Sequence, residues 1–147
     1  MTIRKWNASD LDEIMNLLQQ LNEALNEQQE INAESINVHF KKMEELKDVY
    51  ENYVLEKDNK VIGYMSLLFY RSLFHKVGTA QVNELIIDKA YRNKSYGKEL
   101  LEYGIKRAVD RGMDEVEIGV EKENKKAIEF YKRNGIDEEY LLLGKEL

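Results

Sequence analysis

The chain of 147 residues contains no cysteine and only two histidines, His39 and His75. Without cysteine, it has neither a disulfide framework nor a thiol nucleophile. The two histidines lie in separate segments, so their spacing does not resemble that of a transition-metal site and we expect no bound metal. We interpret both as ordinary surface or half-buried side chains.

Long apolar runs are also missing. No run approaches the ~20 residues that a bilayer-spanning helix requires, so we expect a soluble protein with no membrane partner. The amino-terminal stretch MTIRKWNASD lacks the apolar segment of a secretory signal, which favours a cytoplasmic location.

Charge and length narrow the function classes further. The chain carries 28 acidic and 22 basic side chains, a net charge of -6, which disfavours nucleic acid as a partner and favours basic amines. With 43% hydrophobic residues the chain is long enough to bury a core of its own. No repeat, low-complexity tract or linker divides it, so we predict a single domain over residues 1–147.

Apolar periodicity predicts a strand, two helices and three antiparallel strands in the first part of the chain. Ser9 and Asp12 predict a capping box at the start of the first helix. The predicted segments are the strand TIRKW, helices over 11–25 and 36–46, and strands over 49–56, 61–70 and 79–87.

The second part predicts a helix from Gly97, a strand over 116–120, a helix over 124–134 and a last strand in EYLLLGKEL. Gly112 and Gly135 stand where C-cap glycines belong. A strand, helix and strand in succession imply a parallel crossover, here joined to an antiparallel meander. The predicted fold class is therefore mixed α/β (α+β) with one mixed sheet.

A basic turn lies in the stretch IIDKAYRNKSYGKELLEYGI, residues 86–105. It carries Lys89, Arg92, Lys94 and Lys98, with no carboxylate between the first and the last. Free N–H groups and the positive end of a helix dipole, beside four cations, favour an anion site suited to phosphates. The alternative is a solvated helix start, and neither a P-loop nor a dinucleotide fingerprint is present.

Two segments together resemble the GNAT family of N-acetyltransferases. The segment IIDKAYRNKSYGKELL is similar to the family's acyl-CoA-binding motif, Arg/Gln-x-x-Gly-x-Gly/Ala, with Arg92 first, Ser95 at the first glycine and Gly97 at the second. The segment VEKENKKAIEFYKRNGI resembles a later family segment; its matching positions are Asn124, Ala127, Tyr131 and Gly135, with Ile136 where an aromatic residue is usual.

The resemblance implies a fold and a donor site. The implied fold is that of the GNAT acyltransferases, and the implied acyl donor is acetyl-CoA, with its pyrophosphate on the basic loop and its pantetheine arm between strands 82–87 and 116–120. The main chain of the first strand would pair with that arm like an added strand. The implied cofactor-binding residues are Leu85, Ile86, Ile87, Arg92, Asn93, Lys94, Ser95, Tyr96, Gly97, Lys98, Asn124 and Tyr131. For Asn124, helix N-capping is the alternative role.

Acyl transfer requires an amine without its proton, although an alkylamine has a pKa of about 10, so a general base is needed. Glu84 is the candidate, because at period two it lies in line with Val82 and Ile86 as a carboxylate in an apolar row. A strand-edge glutamate facing water, or a salt bridge to Lys89 or Arg92, is the alternative.

Tyr131 matches the family's general-acid position, from which a phenol would protonate the leaving thiolate. Packing beside Phe130 is its alternative role. At Ser95, a left-handed backbone would cost ~1 kcal/mol and a Cβ would narrow the approach of a phosphate, so we expect donor binding to be retained but weakened. The alternative is that the Ser95 hydroxyl contacts that phosphate. Family members commonly fit two strands after Gly135, so the last strand is expected to be completed by a partner chain or omitted; a homodimer is implied only by the resemblance.

The predicted function is an acetyl-CoA-dependent N-acetyltransferase that acts on a primary amine of a small molecule or protein. A non-catalytic acyl-CoA-binding regulatory module and a plain α/β scaffold are the alternatives. A polyamine, an aminoglycoside, a lysine side chain and a protein amino terminus all remain open as acceptors. We expect acceptor choice to depend on the segment between the first two helices and on the loop at 71–76.

Overall fold

The computed structural model describes residues 1–147 and contains five strands and four α-helices. None of the helices combines the length and the apolar character needed to cross a membrane. In chain order the elements are β1 (Thr2–Lys5), α1 (Leu11–Ala24), α2 (Ala33–Glu45), β2 (Tyr50–Lys57), β3 (Lys60–Tyr70), β4 (Thr79–Ile87), α3 (Tyr96–Asp110), β5 (Glu115–Ile118) and α4 (Lys125–Arg133).

The five strands form one sheet in the order β1-β2-β3-β4-β5. The first four are antiparallel to their neighbours, and β5 runs parallel to β4. Helix α3 makes the crossover between these two parallel strands, as the order of segments predicted. The mixed α/β fold class is therefore confirmed.

Helices cover both faces of the sheet and bury a separate core on each. On one face Ile14 and Leu17 of α1 pack against Tyr64 and Ile86 of the sheet. On the other, Leu100, Leu101 and Ala108 of α3 pack against residues of β2 to β4, and Phe130 and Tyr131 of α4 lie against the same cluster. Each face of β3 is thus covered by apolar side chains, which agrees with the near-continuous apolar run of this strand.

The capping box lies two residues earlier than predicted. Asn7 Oδ1 accepts a hydrogen bond from Ser9 N at 2.9 Å, and Asp10 Oδ2 accepts one from Asn7 N at 2.8 Å. Asp10 is held in place because Arg4 donates to both of its carboxylate oxygens, each at 2.9 Å. The cap starts a short 3-10 turn, Ala8–Asp10, that leads into α1. The predicted pairing of Ser9 with Asp12 is wrong, since the anchored carboxylate is that of Asp10.

The predicted last strand is also wrong. Residues 136–147 contain no regular structure, and Leu141, Leu142 and Leu143 are 71%, 83% and 83% exposed. A strand is stable only when its backbone groups have a ladder partner and one of its faces is buried. This segment has neither within the chain, so its apolar composition does not produce a strand.

Candidate active site

Strand β5 pairs along its whole length, but only with the first four residues of β4. Their parallel ladder runs from Thr79 opposite Glu115 to Val82 opposite Ile118. Beyond that point β5 ends, while β4 continues to Ile87 and remains paired with β3. The edge of β4 that faces β5 therefore presents unpaired backbone groups over residues 83–87. Such an edge can accept an extended ligand as an added strand.

A β-bulge lies where the two strands separate. Ser66 pairs with Glu84 and Leu67 with Val82, so Asn83 has no opposite residue in β3. Bulges bend a strand and increase its local twist. The bend at Asn83 begins at the end of the parallel ladder, which explains why β4 leaves β5 at this position.

The bulge changes the face on which Glu84 lies. Val82 belongs to the core beneath α3, whereas Ile86 belongs to the core beneath α1. Because Asn83 is an extra residue, strict alternation is interrupted, and Glu84 lies on the α1 side with Ile86. The prediction that Glu84 shares one row with both Val82 and Ile86 is wrong for Val82.

Glu84 lines a cavity of about 200 Å³ between the sheet and helices α1 and α2. Its other polar lining residue is His39 of α2, and the apolar lining residues are Trp6, Ile14, Leu18, Ile36, Met43 and Tyr64. Glu84 forms no ion pair, so the predicted alternative of a salt bridge to Lys89 or Arg92 is not found.

The environment of Glu84 suits a base. Burial raises the pKa of Glu84 above its ordinary value, and the nearby hydroxyl of Ser66 opposes this effect. Ser66 Oγ is buried and has no hydrogen-bond partner of standard geometry. The pKa of Tyr64 is raised mainly by burial and, to a smaller extent, by the nearby Glu84 carboxylate. The Tyr64 hydroxyl donates a hydrogen bond to Asn52 Oδ1 at 2.8 Å. Glu84 is thus a half-buried carboxylate in a largely apolar wall.

The basic loop connects the end of β4 to the start of α3. Asp88 caps a single 3-10 turn, Lys89–Tyr91, by accepting from Ala90 N at 2.9 Å. After it, Asn93 and Ser95 both have left-handed backbones, with φ of 61° and 68°. Ser95 is the N-cap of α3 and makes no side-chain cap, so the first N–H groups of this helix remain available to an anion. The left-handed backbone on which the predicted strain at Ser95 depends is present.

Three cationic side chains of the loop and of the start of α3, Arg92, Lys94 and Lys98, are exposed. Arg92 Nε donates to Ile87 O at 3.0 Å, and Lys94 Nζ lies 5.8 Å from the centre of the Tyr91 ring. Lys98 is exposed and lies 3.7 Å from Glu102. Arg92, Lys94 and Lys98 thus contact residues of the loop and of α3, and the binding of an anion by these cations and Lys89 stays a prediction.

Two further lysines, Lys57 and Lys60, come from the hairpin turn between β2 and β3. Lys57 Nζ lies 2.6 Å from Tyr96 Oη, and Lys60 Nζ lies 5.5 Å from the centre of the Tyr91 ring. Sequence analysis missed both, because nothing local in the turn KDNK connects it to a loop more than thirty residues away. Both lysines lie beside the basic loop, and Lys60 Nζ is also 3.7 Å from Asp88 Oδ2, which offsets part of its charge.

Helix α4 packs beside this loop. A Cβ placed on Gly97 would lie 3.5 Å from Phe130 Cζ and 3.7 Å from Ile87 Cγ1, ordinary contact distances. Tyr131 follows Phe130, and their rings meet edge to face with centroids 5.3 Å apart. Burial raises the pKa of Tyr131 to about 12, so its phenol is protonated at neutral pH. Asn124 caps α4, accepting from Ala127 N at 3.3 Å, which is the alternative role considered for it.

The sequence model of the acetyltransferase (GNAT) family matches residues 11–136. The chain belongs to this family. An uncharacterized N-acetyltransferase of Methanocaldococcus jannaschii is 34% identical over 93 residues, 63% of this chain and 41% of that protein. The chain thus aligns with less than half the length of this curated relative.

Solved structures show the same fold. A transcriptional regulator from Bacillus halodurans has a TM-score of 0.89 at 21% identity, over 99% of both chains. Glucosamine-6-phosphate N-acetyltransferase from Arabidopsis thaliana has a TM-score of 0.82 at 20% identity, over 99% of this chain and 97% of that chain. The predicted GNAT fold and the enzyme class of the family, acetyltransferase, are confirmed. The predictions of a single domain, a cytoplasmic location and a homodimer stay predictions.

Proposed function

We propose that the chain transfers the acetyl group of acetyl-CoA to a primary amine by direct attack of the amine on the thioester. The observation that carries this proposal is the position of β4. One edge of β4 is left unpaired where β5 ends, and this edge continues into the basic loop. Glu84, on the same strand, faces a separate apolar cavity. Donor and acceptor would therefore approach the same strand from different sides.

The donor half of the proposal rests on the loop and on the open strand edge. The N–H groups from Asn93 to Lys98 would hold the pyrophosphate, with Arg92 and the nearby lysines neutralising its charge. The backbone of Leu85 to Ile87 would pair with the pantetheine arm. Ile86 and Ile87 are buried, which supports a contribution through main-chain groups rather than side chains.

The chemistry needs three proton transfers. Glu84 would take the proton of the incoming ammonium, directly or through a water molecule, and the neutral nitrogen would attack the thioester carbonyl carbon. When the tetrahedral intermediate collapses, the C–S bond breaks, the thiolate of CoA leaves, and Tyr131, protonated at neutral pH, would give that thiolate a proton. The extra proton on the nitrogen of the new amide would return to the Tyr131 phenolate, directly or through water, and Glu84 would release its proton to solvent.

The test is a free-thiol assay with acetyl-CoA and a broad panel of amines, run on the wild type, Glu84→Gln and Tyr131→Phe, with acetyl-CoA binding measured in parallel. We expect Glu84→Gln to bind acetyl-CoA like the wild type, Tyr131→Phe still to bind it through the aromatic ring it retains, and each variant to lose activity by about 10²–10⁴-fold. Full activity in both variants would overturn the assignment of base and acid. Binding without turnover of any amine would favour a non-catalytic acyl-CoA-binding module.

A further inference from the structure

The cavity beside Glu84 limits which amines can reach the proposed base. Six of its eight lining residues are hydrophobic, and neither a lysine nor an arginine is among them. Apart from Glu84, its only titratable groups are His39 and the hydroxyl of Tyr64, which is already bonded to Asn52. The cavity can therefore offer few hydrogen bonds, and His39 is its only side chain able to carry a positive charge.

A second cavity of about 380 Å³, called here the outer cavity, lies between the starts of α1 and α2 and shares one lining residue, Ile36, with the first, the inner cavity. The acidic residues of the outer cavity are Asp12 and Glu34, which are exposed and form no ion pair. Exposed carboxylates attract a cation and repel an anion. The surface beside the inner cavity therefore favours the approach of an ammonium ion over that of an anion.

We infer that the acceptor is a primary amine carried on an apolar body, aliphatic or aromatic, with no phosphate or carboxylate group. The inference rests on the proposed function. An apolar cavity of ~150 Å³ accommodates one benzene ring. The inner cavity, at about 200 Å³, has room for one such ring or a short alkyl chain together with the amine-bearing carbon.

Other acceptor classes fit these walls poorly. A sugar phosphate would find neither a lysine nor an arginine in either cavity, and Asp12 and Glu34 would repel it. An aminoglycoside would lose hydrogen bonds between its hydroxyls and water, and a polyamine would bring an internal ammonium against apolar side chains. The loop at 71–76, which was predicted to help set acceptor choice, lines neither cavity. The walls come from α1, α2, the sheet and the connection between β1 and α1, which contributes Trp6 and Ala8.

The test compares kcat/KM across amines of different chemistry in the free-thiol assay. The apolar amines are phenethylamine and hexylamine, and the polar ones are spermidine, kanamycin and glucosamine 6-phosphate. We expect kcat/KM to be at least about tenfold higher for the apolar amines, the scale on which apolar pockets discriminate. Higher kcat/KM for any of the polar amines would overturn the inference and leave the proposed function standing. Turnover of no amine at all would overturn both.

A matched pair of variants on α2 tests the cavity itself. Ile36 lines both cavities, whereas Val38 is exposed on the same helix and lines neither. We expect Ile36→Asn to lower kcat/KM for phenethylamine about tenfold without changing the Kd of acetyl-CoA, and Val38→Asn to change neither. Ile36→Ala, a milder change, should raise kcat/KM for the bulkier naphthylmethylamine relative to phenethylamine, while Val38→Ala should not. Equal behaviour of the Ile36 and Val38 variants would overturn the inference.

Discussion

At the scale of single residues, Glu84 combines a cost in stability with a chemical use. Burial raises its pKa in the folded protein above the ordinary value of a glutamate. The folded chain therefore binds more protons than the unfolded chain at pH values between the two pKa values, and stability falls as pH rises through that interval. The apolar surroundings disfavour the ionised carboxylate, which makes Glu84 a stronger base than an exposed glutamate.

Replacing Glu84 by glutamine should therefore raise the free energy of unfolding at neutral pH, because the cost of a buried charge is removed. The difference from the wild type should shrink as pH falls through the interval between the raised pKa of Glu84 and the ordinary glutamate pKa of about 4.3. Below that interval the side chain at position 84 is neutral in both the wild type and the variant, so the difference should be smallest there. Denaturant titrations at several pH values measure this. The matched control is Glu121→Gln, an exposed position. A wild type more stable than Glu84→Gln at neutral pH would contradict the argument.

Ser95 is the second residue at which a local rule is broken. Its φ of 68° is a conformation that glycine adopts without strain, and the family motif has glycine here. We expect Ser95→Gly to lower the Kd of acetyl-CoA, since strain of ~1 kcal/mol is relieved and the Cβ no longer narrows the loop. Isothermal titration calorimetry measures the change. Asn26→Gly is the control, because Asn26 has a left-handed backbone, with φ of 53°, and lies outside the loop; an unchanged Kd for Ser95→Gly would refute the strain argument.

At the scale of elements, the β3 to β4 connection depends on one glycine and one carboxylate. Asp114 accepts from Val77 N and Gly78 N at 2.8 and 2.6 Å and lies 3.0 Å from His75 Nδ1, which ties the loop to the start of β5. The N–H of Gly78 holds the pKa of Asp114 at about 2. The loop thus aligns β4 and β5 at the end where they pair.

Gly78→Ala should destabilise the protein by about 1–3 kcal/mol, because a Cβ there would collide with the carbonyl oxygen of Tyr70, a backbone atom that cannot rotate away. Chemical denaturation measures the loss. Gly144→Ala is the matched control, since nothing lies within 4 Å of its added Cβ. Similar stability of the two variants would show that the connection adjusts at little cost.

At the scale of the whole molecule, donor binding should appear as stabilisation. A ligand that binds only the folded chain adds ~2.7 kcal/mol at about 100 times its Kd. We expect acetyl-CoA to raise the unfolding temperature accordingly. Added salt should reduce this rise, because Lys57 is partly exposed and Lys60 and Arg92 are exposed, so that salt screens their attraction to the phosphates. Thermal unfolding with and without acetyl-CoA measures this. Absence of any shift would favour a plain scaffold and contradict the donor site.

Much of the fold and the donor loop could be predicted from the sequence, because both depend on local patterns. Helical and strand periodicities involve neighbours within a few residues, and the C-cap glycines Gly112 and Gly135 do have positive φ. The motif from Arg92 to Gly97 lies in one stretch of chain, so its place between β4 and α3 follows from its flanking segments. The sequence by itself thus determined the element types, the parallel crossover and the position of the basic turn.

Only the tertiary structure decided what surrounds Glu84. The bulge at Asn83 depends on the pairing of β4 with β3, and it moves Glu84 to the α1 face of the sheet. A regular alternation of residues along β4 does not predict this change of face. The cavity brings Trp6, Met43 and Glu84 together from distant parts of the chain. The apolar segment after α4 forms no strand because it lacks a ladder partner, a property of the sheet rather than of its own residues. Pairing and packing act between segments far apart in sequence, so local composition does not specify them.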